Sequence, residues 1–274
     1  MRALVLGGGG ITGIAWELGL LAGLRRQGAG LDGADLIVGT SAGSYVGALL
    51  ATRADLDRAV AEAAGIDVEL APRIDPALLA QGFAVLSDSS LAPVEKRRLL
   101  GQLAVRAPLG DDTPHVARFA ETLPDHRWPQ HPRLVVTAID TATGELTAWD
   151  AAAGVPLPAA VAASCALPGV FPPVRVNGGR FMDGGVRSVT NTDLAAGADA
   201  VIVVAPTSNM FRAAPAEELN RLNPPRRLLI APDAGARSAI GDNILNPSRR
   251  AAALAAGIDQ AGSLAPAVRE VWIS

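Results

Sequence analysis

An α/β fold, with a mainly parallel sheet covered by helices and one helical insertion, is what three features of the sequence predict. Short runs without a polar residue recur at Ala3–Leu6, Leu36–Val38, Val201–Val204 and Leu228–Ile230, the signature of strands buried on both faces. Helix-periodic segments follow the first two runs. A glycine-rich or glycine-flanked junction separates strand from helix each time.

In chain order, Ala3–Leu6 passes through Gly7-Gly8-Gly9-Gly10 into Ile14–Arg26, where Ile14, Leu18, Leu21 and Leu24 recur at helical spacing; the helix stops before Gly28. Leu36–Val38 is the second strand and Ser41–Ala51 the second helix. Residues 53–130 change character. Asp75-Pro76 and Thr113-Pro114 each place an N-cap residue type before a proline suited to the first helical turn, and Glu95–Val105 and Val116–Leu123 are helix-like. The segment is therefore expected to be a helical insertion that shapes or covers a cleft. Pro124, Trp128, Pro129 and Pro132 mark an irregular return to the sheet. Strands are expected at Arg133–Ile139 and Glu145–Trp149 around the turn Asp140–Gly144. Pro158 opens a short helix over Ala159–Ala166, and Val174–Val176 pairs with Arg180–Met182 around Asn177-Gly178-Gly179. A polar, proline-containing loop joins the last two strands, and Ser248–Ala261 is an alanine-rich helix. No internal repeat or separable linker divides the chain.

Composition narrows the function. With 274 residues, 49% of them hydrophobic, the chain is long enough to bury a substantial core. A net charge of −3 without a dense Lys/Arg run argues against nucleic acid as a partner. The single cysteine, Cys165, excludes an internal disulfide, and three scattered histidines exclude a zinc cluster of ordinary spacing. The apolar stretch at the N-terminus is too short for a signal peptide. The longest uncharged window, Ala151–Val174, contains Pro156, Pro158, Pro168, Pro172 and Pro173 and cannot be a regular membrane helix. These features read as a cytoplasmic protein whose membrane contact, if any, is a peripheral surface patch.

Chemistry enters at Gly39-Thr40-Ser41-Ala42-Gly43, a G-x-S-x-G sequence at a strand-to-helix junction. Such an elbow exposes a serine hydroxyl, and Gly39 and Gly43 lack the Cβ atoms that would collide where strand and helix meet. Gly7–Gly13 also opens a helix, where unpaired N–H groups and the helix dipole stabilise negative charge. Two functions fit that turn: an oxyanion hole, or a dinucleotide site, since Gly8, Gly10 and Gly13 match G-x-G-x-x-G. The dinucleotide reading needs an acid at the end of the second strand, and that strand ends in Gly39-Thr40-Ser41. A serine nucleophile needs a base. His115, His126 and His131 all lie in the insertion or its return loop, which disfavours the order Ser, acid, His of the α/β-hydrolases. Asp183-Gly184-Gly185, after a strand, offers a carboxylate that can serve directly.

Gly-rich turn, G-T-S-A-G elbow and a later D-G-G, in that order, resemble the patatin-like phospholipases. So does Ala163–Val174, with its Pro168-Gly169-Val170-Phe171-Pro172-Pro173. The matching motifs run from about residue 3 to about residue 205. The resemblance implies one three-layer α/β/α hydrolase domain over residues 1–274, with Ser41 as nucleophile, Asp183 as base, and amides around Gly8, Gly9 and Gly10 as oxyanion hole. Gly13, Gly39, Gly43, Gly184 and Gly185 support the motifs. It further implies a lipid or other acyl-ester substrate, with no metal and no cofactor. One departure is visible: Thr12 stands where many family members carry Arg or Lys. The competing enzyme class is an acyltransferase of the malonyl-transferase type, which relies on a histidine, and the competing binding class is a nucleotide-binding protein using Gly8–Gly13.

Overall fold

The computed structural model describes residues 1–52, 55–65, 76–207 and 215–272. Asp75, expected to cap a helix, lies outside them. The chain runs β1 (Arg2–Leu6), α1 (Gly10–Arg26), β2 (Leu36–Gly39), α2 (Ala42–Ala51), then the helical insertion α3 (Leu56–Gly65), α4 (Pro76–Ser87), α5 (Pro93–Arg106) and α6 (Thr113–Thr122). It returns to the sheet in β3 (Arg133–Asp140) and β4 (Leu146–Trp149), followed by α7 (Leu157–Ser164), β5 (Val174–Val176) and β6 (Gly179–Asp183). β7 (Ala200–Val204), α8 (Pro215–Leu222), β8 (Arg226–Ile230), α9 (Ala234–Ile240) and α10 (Arg250–Trp272) complete it.

Among the described residues the strands form one eight-stranded sheet in the order β5-β6-β3-β2-β1-β7-β8, with β4 also on β3. The pairs from β3 to β8 along this order are parallel, and β4, β5 and β6 add antiparallel pairs. Alternation sorts the side chains onto two faces. Leu4, Leu6, Ile37, Val136 and Val204 pack beneath α1, α2, α7 and α10, whereas Ala3, Val5, Val38, Val201 and Val203 pack beneath α8. On that second face Ile139 and Met182 are covered by α4 and α5. The result is the three-layer α/β/α arrangement.

The register of β3 positions the site. Val136 pairs with both Gly39 of β2 and Trp149 of β4, so β2 and β4 lie on opposite edges. Ala138 pairs with both Thr147 of β4 and Asp183 of β6, which puts β6 on the edge that β2 occupies. Running in opposite directions along one edge, β2 and β6 therefore end facing each other across Thr137. Each end is where the sequence carries its chemistry, Ser41 beyond one and Asp183 at the other.

Three differences from the sequence expectation have physical causes. α8 falls within the loop expected between β7 and β8, where Leu219 buries one face of an otherwise charged segment. α9 is a short helix capped by Asp233, which accepts a hydrogen bond from the Ala236 N–H at 2.8 Å. The last helix does not stop at Ala261 but continues through Pro266 to Trp272. A proline there removes one backbone bond, yet Ala265, Val268 and Trp272 bury beyond it, and that packing outweighs the loss.

α10 lies so close to α1 that only glycine fits at their crossing. A Cβ on Gly257 would stand 2.3 Å from the Trp16 carbonyl oxygen, and one on Gly19 would stand 2.1 Å from that of Leu254. Beside the crossing, the Trp16 Nε1–H donates to Gln260 Oε1 at 3.1 Å. Alanine in place of glycine inside a helix ordinarily stabilises by about 1 kcal/mol. At this contact the sign reverses: Gly257→Ala is expected to destabilise by about 1–3 kcal/mol through overpacking, read as a lowered Tm in thermal unfolding.

Candidate functional site

Ser41 sits in the sharp turn between β2 and α2 with φ 52° and ψ −120°, a left-handed conformation that a residue with a Cβ adopts only under constraint. The constraint is visible on both sides. A Cβ on Gly43 would stand 2.1 Å from the Leu6 carbonyl oxygen, so α2 begins in contact with the end of β1; one on Gly39 would lie 2.5 Å from the Ser44 Cα. Ser41's own peptide groups are tied to the end of α7 and to the first turn of α2. Its N–H donates to Ser164 Oγ at 2.9 Å, while its carbonyl accepts from Ser44 Oγ at 2.7 Å and from Cys165 Sγ at 3.2 Å. Ser164 and Cys165 belong to a segment that carried the family resemblance, but sequence gave them no role at the elbow. Burial pushes the Cys165 thiol well above its ordinary pKa, which keeps it a neutral donor.

The Ser41 hydroxyl donates to Asp183 Oδ2 at 2.6 Å, and the carboxylate's other oxygen, Oδ1, accepts the Gly185 N–H at 2.7 Å. Asp183 is 4% exposed. Burial raises its pKa to about 6, against the lowering pull of those two hydrogen bonds. Gly184 makes the approach possible, for a Cβ there would stand 2.3 Å from Thr137 Oγ1. Thr137 in turn exchanges a hydrogen bond with Thr40 at 2.9 Å, and Asn191 Nδ2 donates to Thr40 Oγ1 at 3.0 Å and to the Ser188 carbonyl at 2.8 Å. Asn191 is fully buried and braces the elbow against the loop after Asp183. No motif marked it in the sequence.

The glycine loop faces the same point. Gly8 lies beside Ser41, with room for a Cβ 3.5 Å from that of the serine, and Gly9 and Gly13 pack on Pro206. The Gly8 N–H, expected to be one of three anion donors, donates instead to the Val189 carbonyl at 2.7 Å. Gly9 and Gly10 differ: among the described residues neither N–H meets a protein acceptor, and both residues line the cavity above Ser41. Thr12 anchors the loop, its N–H and hydroxyl reaching the Ile244 carbonyl at 3.1 and 3.3 Å.

That cavity has a volume of about 180 Å³. Ser41, Asp183 and Gly185 line it together with apolar side chains such as Ile14, Leu18, Leu49 and Phe171. Ala59 of α3 and His115, Arg118 and Phe119 of α6 line it too, so the insertion does contribute to the cleft. Of the three histidines, only His115 lines the cavity. Its Nε2–H is held by the Ala162 carbonyl at 3.0 Å, its ring stacks on Phe171 with centroids 4.5 Å apart, and burial lowers its pKa to about 4. His126 is exposed and bonds to the Ala120 carbonyl.

No curated protein sequence matches the chain. Among solved structures it is similar to VipD from Legionella pneumophila, with a TM-score of 0.51 at 15% identity over 97% of this chain and 66% of that one. A type III effector protein, ExoU, aligns with a TM-score of 0.47 at 17% identity over 100% of this chain and 53% of that one. The chain thus spans less than two thirds of either protein's length, and at such identities the VipD likeness speaks for the fold. The family model described as patatin-like phospholipase matches residues 4–196, from β1 through the loop after Asp183 that carries Asn191. The chain belongs to the patatin-like phospholipase family.

Proposed function

We propose that the protein is a serine esterase acting on lipid or related acyl esters through a Ser41–Asp183 dyad. The observation that carries this reading is the 2.6 Å hydrogen bond from the Ser41 hydroxyl to a buried carboxylate, both lining a largely apolar cavity. Membership of the family supports a lipid acyl hydrolase in general; the residue roles rest on geometry. Ser41 Oγ attacks the ester carbonyl carbon as its proton passes to Asp183 Oδ2. The carbonyl oxygen becomes an oxyanion and is met by the N–H groups of Gly9 and Gly10, while Gly8, with its own N–H bound, shapes the turn. Collapse breaks the bond to the alcohol, which leaves with the proton from Asp183. Water then loses a proton to Asp183, attacks the acyl-serine, and releases the acid and a regenerated Ser41.

Asp183 suits this work because one carboxylate oxygen is fixed by Gly185 and the other is left for the serine. A histidine-dependent transferase draws no support from the site, since the one histidine on the wall has its Nε2 committed to Ala162.

Hydrolysis of a short p-nitrophenyl ester tests the dyad. Ser41→Ala is expected to lose at least about 10⁴-fold in kcat/KM, and Asp183→Asn about 10²- to 10⁴-fold. Full activity in either variant contradicts the reading.

The pKa of Asp183 adds two pH signatures. Once protonated it can no longer take the Ser41 proton, so kcat/KM is expected to fall on the acid side with a midpoint near pH 6. Stability moves the other way. The native carboxyl holds its proton up to about 6 while the unfolded one releases it near about 3.9. Its contribution to folding is therefore full below the unfolded value and lost as pH rises through the native one. Asp183→Asn removes that loss. At pH 7 the inactive Asn variant is expected to melt no lower than the wild type, which circular dichroism can check.

A further inference from the structure

The cavity that holds Ser41 follows two helices. On α1 it is lined by Ile11, Ile14 and Leu18, and on α2 by Ala42, Tyr45 and Leu49, the same three-then-four spacing, which keeps to one face of each helix. Both helices start at the site, α1 at the glycine loop and α2 at Ser41, so successive turns lead away from the nucleophile. Exposure falls along the way: Ile14 and Tyr45 are half-buried, whereas Leu18 and Leu49 are 1% and 3% exposed. Among the described residues, none of α1 beyond Leu18 and none of α2 beyond Leu49 lines the cavity. There the insertion meets the two helices. Asp57, in the first turn of α3, pairs with Arg26 at the end of α1 at 2.6 Å, and Leu56 beside it is buried in the same core. One turn later Ala59 lines the cavity, so α3 starts past Leu18 and comes back to the cavity.

These positions give the cavity a length. From Gly10 to Leu18 and from Ser41 to Leu49 there are eight residues each, about 12 Å of helix at about 1.5 Å per residue. Three bonds of an extended chain advance about 3.5 Å, or about 1.2 Å per carbon, so 12 Å corresponds to about ten carbons.

We propose that the apolar faces of α1 and α2 hold the acyl chain of the substrate, and that Leu18, Leu49 and Ala59 limit that chain to about ten carbons. This rests on the esterase reading and narrows it to esters of medium-chain acids. The chains of a bilayer, two of which end to end fill a core about 30 Å thick, are longer than that and would meet Leu18 and Leu49 before their carbonyl reached Ser41.

A series of p-nitrophenyl esters in one nonionic detergent tests the limit. The wild type is expected to gain about tenfold or more in kcat/KM from butanoate to decanoate, as methylenes are buried, and to lose about tenfold or more from decanoate to hexadecanoate. Leu49→Ala lengthens the space and is expected to raise the hexadecanoate-to-decanoate ratio about tenfold; Ala59→Leu shortens it and lowers the decanoate-to-butanoate ratio by a similar factor. Because variant and wild type are compared on the same two esters, differences in the esters' own reactivity and dispersion cancel. Should the Leu49 variant fail to fold by circular dichroism, Ala59→Leu, at a half-buried position, carries the test. Equal use of decanoate and hexadecanoate by the wild type, a steady decline from butanoate onward, or a ratio unmoved by Ala59→Leu overturns the limit. If no ester of the series is cleaved, butanoate included, it is the underlying esterase reading that fails, and the acyl site falls with it.

Discussion

The hydrogen bond between Ser41 and Asp183 depends on one constraint of the sheet: β2 and β6 share an edge of β3 and end facing each other. Gly39 pairs with Val136 and Asp183 with Ala138, leaving only Thr137 between the two ends. Residues 142 positions apart are thereby brought to 2.6 Å without a long connecting loop at the point of contact. Thr137 touches both sides, through Thr40 and through the backbone packing of Gly184. A strand slip would move side chains to opposite faces as well as separate the ends, so the register that builds the core also builds the pair.

Holding the pair together opposes local preference at two places. Ser41 occupies a left-handed conformation, and Asp183 is a carboxyl nearly sealed from water. Both are unfavourable in isolation. Each is offset by bonds from elsewhere in the chain: Ser164, Ser44 and Cys165 hold the peptide groups of Ser41, and the Gly185 N–H with the Ser41 hydroxyl holds the carboxylate. On the proposed mechanism this cost has a use. A desolvated carboxylate binds a proton more tightly than an exposed one, which is what a base receiving a serine proton requires.

The residues that meet at this point were legible in the sequence because they are glycines and short motifs that close backbone approach demands. Gly39, Gly43 and Gly184 stand where a Cβ meets backbone or a neighbouring side chain, and the order of glycine turn, elbow and D-G-G survives as spacing in the chain. Side chains that brace the motifs leave no such trace. Asn191, Ser164 and Thr137 are ordinary residues in sequence, and their roles arise from contacts made across 54 to 151 positions. The Gly8 amide was legible as a donor but not as one already bound, because its acceptor, Val189, arrives from a distant loop. Helices were legible where amphipathic spacing or a proline marked them. α9 was missed because it is short, and the run of α10 past Pro266 because tertiary packing, not local propensity, sustains it.

The central claim is that Ser41 is a nucleophile made reactive by Asp183. Labelling with a fluorophosphonate, followed by intact mass and peptide mapping, tests it most directly. The account predicts one adduct per chain on the peptide containing Ser41, formed far more slowly in Asp183→Asn than in the wild type. No adduct, an adduct on another residue, or equal labelling rates in the two proteins would contradict it.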